Sequence, residues 1–193
     1  MDSANRRFVR CTRLILLLLI AIPGVRLRAE SASQAAANPL QVIQSAPEFS
    51  LENVLGGQVH SRDLKGKVVV VEFWATWAIP SRSAMLEYTL LRNRLKDQGV
   101  EFLAVTFESG TVTEVSQVVR DLQIEFPVVM ATTEVDQAFG GHRGFPTTFL
   151  VGKDWKVYRR ILGQTPNKTQ TIERDVLSLL AIPSSEPEVP PAR

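Results

Sequence analysis

Val68-Val69-Val70-Val71-Glu72-Phe73-Trp74-Ala75-Thr76-Trp77-Ala78-Ile79-Pro80-Ser81 is the stretch on which the reading of this chain turns. Four consecutive valines, then Phe73 and Trp74 after the single polar residue Glu72, make both faces of the run apolar. A near-continuous β-branched and aromatic run of this kind belongs to a central strand buried on both faces of a sheet. The residues after it change period. Ala84, Met85, Tyr88, Leu91 and Leu95 recur at helical spacing within Ser81 to Lys96, and Gly99 ends the run. A buried strand therefore feeds directly into a helix, and Pro80 fits that helix's first turn, where its missing N–H would go unpaired anyway.

Working outward from this unit, Glu101 to Phe107 reads as a strand, Val112 to Leu122 as an amphipathic helix and Pro127 to Met130 as a short strand. Strands alternating with helices imply parallel crossovers. A short helix is expected around Val135 to Phe139. Thr147 to Val151 and Lys156 to Ile161, joined through Gly152-Lys153-Asp154, form an antiparallel hairpin. Asn167 to Leu180 closes the domain as a helix with Ile172, Val176, Leu179 and Leu180 facing inward. On the other side of the decisive stretch, Phe49 to Asn53 and Gln58 to His60 flank Gly56-Gly57 as a further hairpin. The expected class is α/β: a mixed central sheet flanked by helices, with an N-terminal β-hairpin extension, over residues 46–182.

The ends of the chain read differently. Six arginines precede Glu30, and the apolar run Leu14 to Ile22 lies among them, followed by Pro23, Gly24 and small residues. This is the pattern of an export signal, expected over residues 1–29. The run is shorter than the roughly twenty residues that span a bilayer, which favours cleavage over a permanent anchor. Residues 30–45, rich in Ala, Ser and Gln, read as a tether, and the proline-rich, acidic residues 183–193 as a disordered tail. The expected location is periplasmic or otherwise extracytoplasmic, with the membrane touched only through an uncleaved N-terminal segment.

Charge and cysteine content narrow the function. Without the six N-terminal arginines and Asp2, the 22 basic and 20 acidic residues become 16 and 19, a net charge of −3 that argues against a nucleic-acid partner. The single cysteine, Cys11, precedes the apolar run and would leave with the signal. The mature chain would then hold no disulfide framework and no cysteine-ligated metal. Two histidines about eighty residues apart, His60 and His142, give no metal-ligand pattern. No cofactor and no metal are expected.

Three motifs now carry a resemblance. Ala46-Pro47-Glu48-Phe49-Ser50-Leu51 followed by Leu64-Lys65-Gly66-Lys67, then Phe73-Trp74-Ala75-Thr76-Trp77, then Gly144-Phe145-Pro146-Thr147-Thr148-Phe149-Leu150 are similar in order and spacing to the TlpA/ResA-type redoxins. The resemblance implies a thioredoxin fold and a thiol-disulfide oxidoreductase ancestry. It also implies a Cys-x-x-Cys pair at the helix start, where this chain has Ala78-Ile79-Pro80-Ser81. A helix N-terminus lowers the pKa of the first cysteine so that the thiolate can attack. A methyl group cannot do this, and Ser81 has no oxidised partner state. No catalytic residue is therefore expected at Ala78 or Ser81. The resemblance further implies a cis-proline at Pro146, with Trp77, Ile79, Pro80, Phe145, Pro146 and Thr147 as binding residues of a shallow apolar groove for a peptide or envelope protein client.

Glu72 interrupts the apolar strand and matches the family's buried acid beneath the cysteine pair. With no cation on Glu101 to Phe107, a partnerless buried carboxylate should have a raised pKa. The residue reads as a relic held by hydrogen bonds or water, or else as a working acid or base. The leading functional expectation is a redox-inactive, peptide- or protein-binding member of the cell envelope. Alternatives are a thiol-disulfide oxidoreductase seen as a cysteine-free variant, and a hydrolase built on Ser81 with His142.

Overall fold

A computed structural model describes residues 40–183. The expected signal at 1–29, the tether up to residue 39 and the tail from residue 184 lie outside the described residues. The strands are β1 (Gln44–Ser45), β2 (Ser50–Glu52), β3 (Gln58–His60), β4 (Val68–Trp74), β5 (Val100–Thr106), β6 (Val128–Met130), β7 (Thr147–Val151) and β8 (Lys156–Leu162). The helices are α1 (Ile79–Leu95), α2 (Val112–Asp121), α3 (Thr133–Ala138) and α4 (Lys168–Leu180).

Six strands form one sheet in the order β1-β8-β7-β4-β5-β6, and β2 pairs with β3 separately. The valine run sits in the middle. All seven residues of β4 are buried, with β5 parallel on one side and β7 antiparallel on the other. The period-2 geometry of a strand then sorts its side chains onto two cores. Val68, Val70 and Trp74 pack with Phe102, Ala104 and the inward residues of α1, α2 and α4. Val69, Val71 and Phe73 pack on the opposite face with Leu103, Val105, Phe139 of the α3 end and Phe49 and Leu51 of the hairpin region. The hairpin is tied to the far sheet edge by an Asn53–Val129 bridge and a Val54 N–H to Val128 carbonyl bond of 2.9 Å.

The helical spacing after β4 holds, and α1 begins two residues earlier than the apolar pattern suggests. Ala78 is its N-cap, without a side-chain hydrogen bond, and Pro80 lies in the first turn. Inward go Ala84, Met85, Tyr88, Leu91 and Leu95, while Leu86 and Leu90 are exposed. Gly99, at φ 79°, turns the chain into β5 in a left-handed conformation that a side chain disfavours. By contrast, α2 starts with a reciprocal capping box between Thr111 and Glu114.

One boundary differs from the sequence reading. Gln44 and Ser45, assigned by composition to the tether, form β1 against Val157 and Lys156 of β8. Backbone groups do the pairing, as in the Ile43 N–H to Val157 carbonyl bond of 2.7 Å. A two-residue polar strand covering a sheet edge carries no hydropathy signal.

Candidate functional site

The site is built where β4 and β5 end. Beyond Trp74, Thr76 donates its backbone N–H to Ser109 Oγ (3.1 Å), and Trp77 donates its indole N–H to the Glu108 carbonyl (3.0 Å). The loops after the two strands are thereby fastened together, which fixes the start of α1. Ala78 and Ser81 lie at that start. Both are buried, and the Ser81 Oγ has no hydrogen-bond partner among the described residues. No acidic residue lies in the first turn of α1.

The third motif comes to the same end of the sheet. The Phe145–Pro146 peptide bond is cis, as the resemblance implies. Thr147 donates its hydroxyl to the Gly144 carbonyl (2.8 Å), and the Pro146 carbonyl accepts from Gly163 N–H (2.8 Å). The N–H and carbonyl of Phe145 have no backbone partner among the described residues. Its ring meets the Trp77 indole edge-on, with centroids 5.8 Å apart at 84°.

Of the six residues expected to bind, Trp77 (64% exposed), Ile79 (76%) and Pro80 face solvent, Phe145 is half-buried, and Pro146 and Thr147 are buried. Trp77 and Phe145 are brought into contact. Pro146 and Thr147 lie beneath the surface and shape the loop.

Glu72 is not the partnerless carboxylate that the sequence suggests. Lys168, in the first turn of α4, places its ammonium 3.2 Å from Glu72 Oε1, with both side chains about 1% exposed. Thr148 Oγ1 donates to Glu72 Oε2, and the Tyr88 hydroxyl lies 3.3 Å from that oxygen and 3.0 Å from Thr148 Oγ1. β5 supplies no cation, as the sequence reading has it, but the conclusion that Glu72 is without a partner does not follow, because the cation comes from α4. Its signal was present in the spacing Lys168, Ile172, Val176, Leu179, which puts the lysine on the inward face of an amphipathic helix. Burial still pushes the Glu72 carboxyl above the usual carboxylate range, against the pull of Lys168 and of the donor hydroxyls. The Tyr88 phenol is pushed well above its ordinary value by burial and by the neighbouring Glu72.

A second carboxylate lies at the rim. Asp136 Oδ1 accepts from both the backbone N–H (2.8 Å) and Nδ1 (2.9 Å) of His142. The imidazole stacks on Phe145, with centroids 4.5 Å apart and planes 12° from parallel, and also meets Phe107 at 5.1 Å. No bond joins His142 to Ser81. Nothing in the sequence pattern paired His142 with Asp136 six residues earlier. Among the described residues no three His, Cys, Asp or Glu side chains converge as a metal-ligand set.

Chemically, the arrangement offers an aromatic surface, unpaired backbone groups, a buried proton-holding cluster and no thiol at the helix start. The comparisons with known proteins agree with this layout. The sequence profile described as the AhpC/TSA family matches residues 42–160. The chain is 30% identical to "Thiol-disulfide oxidoreductase ResA" of Bacillus subtilis (strain 168), over 93% of this chain and 96% of that one. It is 32% identical to the ResA of Geobacillus kaustophilus (strain HTA426), over 91% and 97%. Among solved structures, a thiol:disulfide interchange protein of the thioredoxin family from Chlorobium tepidum TLS superposes with a TM-score of 0.64 at 30% identity, covering 75% of this chain and 98% of that chain.

Proposed function

Because this chain belongs to the AhpC/TSA family and shares the thioredoxin-like fold of its thiol-disulfide oxidoreductase relatives, we propose that it is an exported, redox-inactive member that binds extended peptide segments. The observation that carries the reading is Ala78 and Ser81 at the start of α1, beside a loop whose architecture is otherwise complete. Thiol-disulfide exchange proceeds by thiolate attack through a mixed disulfide, and neither position supplies sulfur. What remains is a surface suited to holding a chain. The free N–H and carbonyl of Phe145 offer main-chain pairing of the strand-addition kind, and Trp77 and Ile79 offer apolar contact beside them.

The arginines before Glu30 and the run Leu14 to Ile22 support export to the cell envelope, where unfolded client segments are met outside the reducing cytosol. The test uses a ligand that cannot form disulfides, the carboxymethylated B chain of insulin, with binding followed by tryptophan fluorescence of the full chain. Saturable binding that Phe145→Ala weakens by about tenfold or more fits the loss of one central aromatic contact. Absence of binding, or binding indifferent to Phe145→Ala and Trp77→Ala, would refute the groove.

A further inference from the structure

The Asp136–His142 pair stands beside the groove and has no part in the function proposed above. Asp136 Oδ1 accepts the main-chain N–H of His142 at 2.8 Å and faces its Nδ1 at 2.9 Å. A carboxylate only accepts, so this contact keeps a proton on Nδ1 and fixes the plane of the ring. In the neutral imidazole the other nitrogen, Nε2, is then an acceptor. Nε2 has no partner among the described residues and opens to solvent: the side chain is 18% exposed, and Nε2 is not one of the unpaired atoms sealed in the core.

Aromatic neighbours take up the rest of the ring. It lies flat on Phe145, with centroids 4.5 Å apart and planes 12° from parallel, and Phe107 meets it at 5.1 Å. Phe145 is also the residue whose backbone N–H and carbonyl are unpaired and whose own ring touches Trp77. A segment paired with that backbone commits the main-chain groups facing Phe145 to the pairing, so what it can add for Nε2 is a side-chain donor. A carboxylate there sets one lone pair against another. An alkyl side chain strips the nitrogen of water and gives no bond in return. A hydroxyl donates, and on threonine it comes with the branched shape that suits an extended chain.

Resting on the peptide-binding reading, we propose that the groove prefers extended segments in which a serine or threonine sits among apolar residues. The ligand hydroxyl donates to His142 Nε2, and Asp136 acts as the positioning residue. Neither member of this hydrogen bond is charged, so the preference does not change with salt and does not depend on the charged side chains of the rim.

The test compares acetyl-Ala-Val-Thr-Val-Ala-amide with acetyl-Ala-Val-Val-Val-Ala-amide, in which a methyl group replaces the hydroxyl, by calorimetric titration of the full chain. The titration is run at about pH 8, above the ordinary imidazole value of about 6.5. The Thr peptide is expected to bind about threefold to tenfold tighter in low and high salt alike, in line with one neutral hydrogen bond. In His142→Phe, which keeps a ring on Phe145, the ratio should fall to about one or below. A measurement on the unaltered protein guards against misfolding of that variant: the ¹⁵N signal of His142 Nε2 should be that of an unprotonated nitrogen, and should shift with the Thr peptide and not with the Val peptide. In Asp136→Ala the same signal should move toward that of a protonated nitrogen, because the tautomer is released. Equal or tighter binding of the Val peptide, a ratio unchanged in His142→Phe or lost in high salt, or an Nε2 that is protonated or silent to the Thr peptide overturns the role of His142 while leaving the groove intact. An Nε2 signal unmoved in Asp136→Ala overturns the positioning role of Asp136. Failure of both peptides to bind overturns this inference together with the groove.

Discussion

At the scale of single residues, the informative positions are those where the chain holds polar groups inside its core. Lys168 and Glu72 lie deep in the core and in contact. Removing one partner of a buried pair leaves the other charge without compensation, so Lys168→Met should lower stability by about 3–5 kcal/mol. The loss depends on pH, and the sign follows from Glu72. Its folded-state pKa is raised above 4.5, so its contribution is fully present below that value and declines as pH rises through the folded one. Taking away Lys168 removes a group that holds this pKa down. Urea denaturation of Lys168→Met should therefore show its smallest deficit in acid and its largest at neutral pH, and Glu72→Gln in the same chain should restore most of it. An equal deficit at all pH values would mean that the pair is not coupled as the geometry indicates.

At the scale of elements, two helix starts on the same fold are finished differently. Thr111 and Glu114 close the first turn of α2 on each other, whereas α1 begins at Ala78 with no side-chain cap. Thr111→Ala should cost about 0.5–2 kcal/mol, the usual worth of such a cap. Glu114 is held below the usual carboxylate range by the Thr111 N–H, so the capping contribution is present above pH 4.5 and is lost as pH falls through the lowered value. Ala78→Ser should do the reverse at α1 and raise stability by about 0.5–2 kcal/mol, because a serine oxygen can accept from the open first turn. Thermal melts of the two variants, compared with the parent, check both signs. A stabilisation missing from Ala78→Ser would indicate that this helix start is already satisfied.

At the scale of the whole molecule, much of the fold was legible because it rests on periodicity. The unbroken valine run of β4 required cover on both faces, and the 3.6-residue spacing of α1, α2 and α4 supplied it. What could not be read was what depends on distance in space. Lys168 lies 96 residues from Glu72, and only packing α4 over β4 reveals the pair. His142 and Asp136 are near in sequence, but their bond depends on the fold of the α3–β7 loop, and β1 depends on an open sheet edge. Two of the three motifs, those ending in Trp77 and centred on Pro146, come together at one end of the sheet, while the depth of Pro146 and Thr147 beneath the surface was not legible.

We propose that this thioredoxin-like domain does not transfer electrons because neither Ala78 nor Ser81 supplies sulfur, while the rest of the scaffold is sound. The most direct measurement is insulin disulfide reduction by the full chain, with its Cys11→Ser variant alongside and dithiothreitol as the reductant. The account predicts the uncatalysed rate for both, and a rate clearly above it once Ala78→Cys and Ser81→Cys are introduced together. Catalytic turnover by the chain as it stands would contradict it.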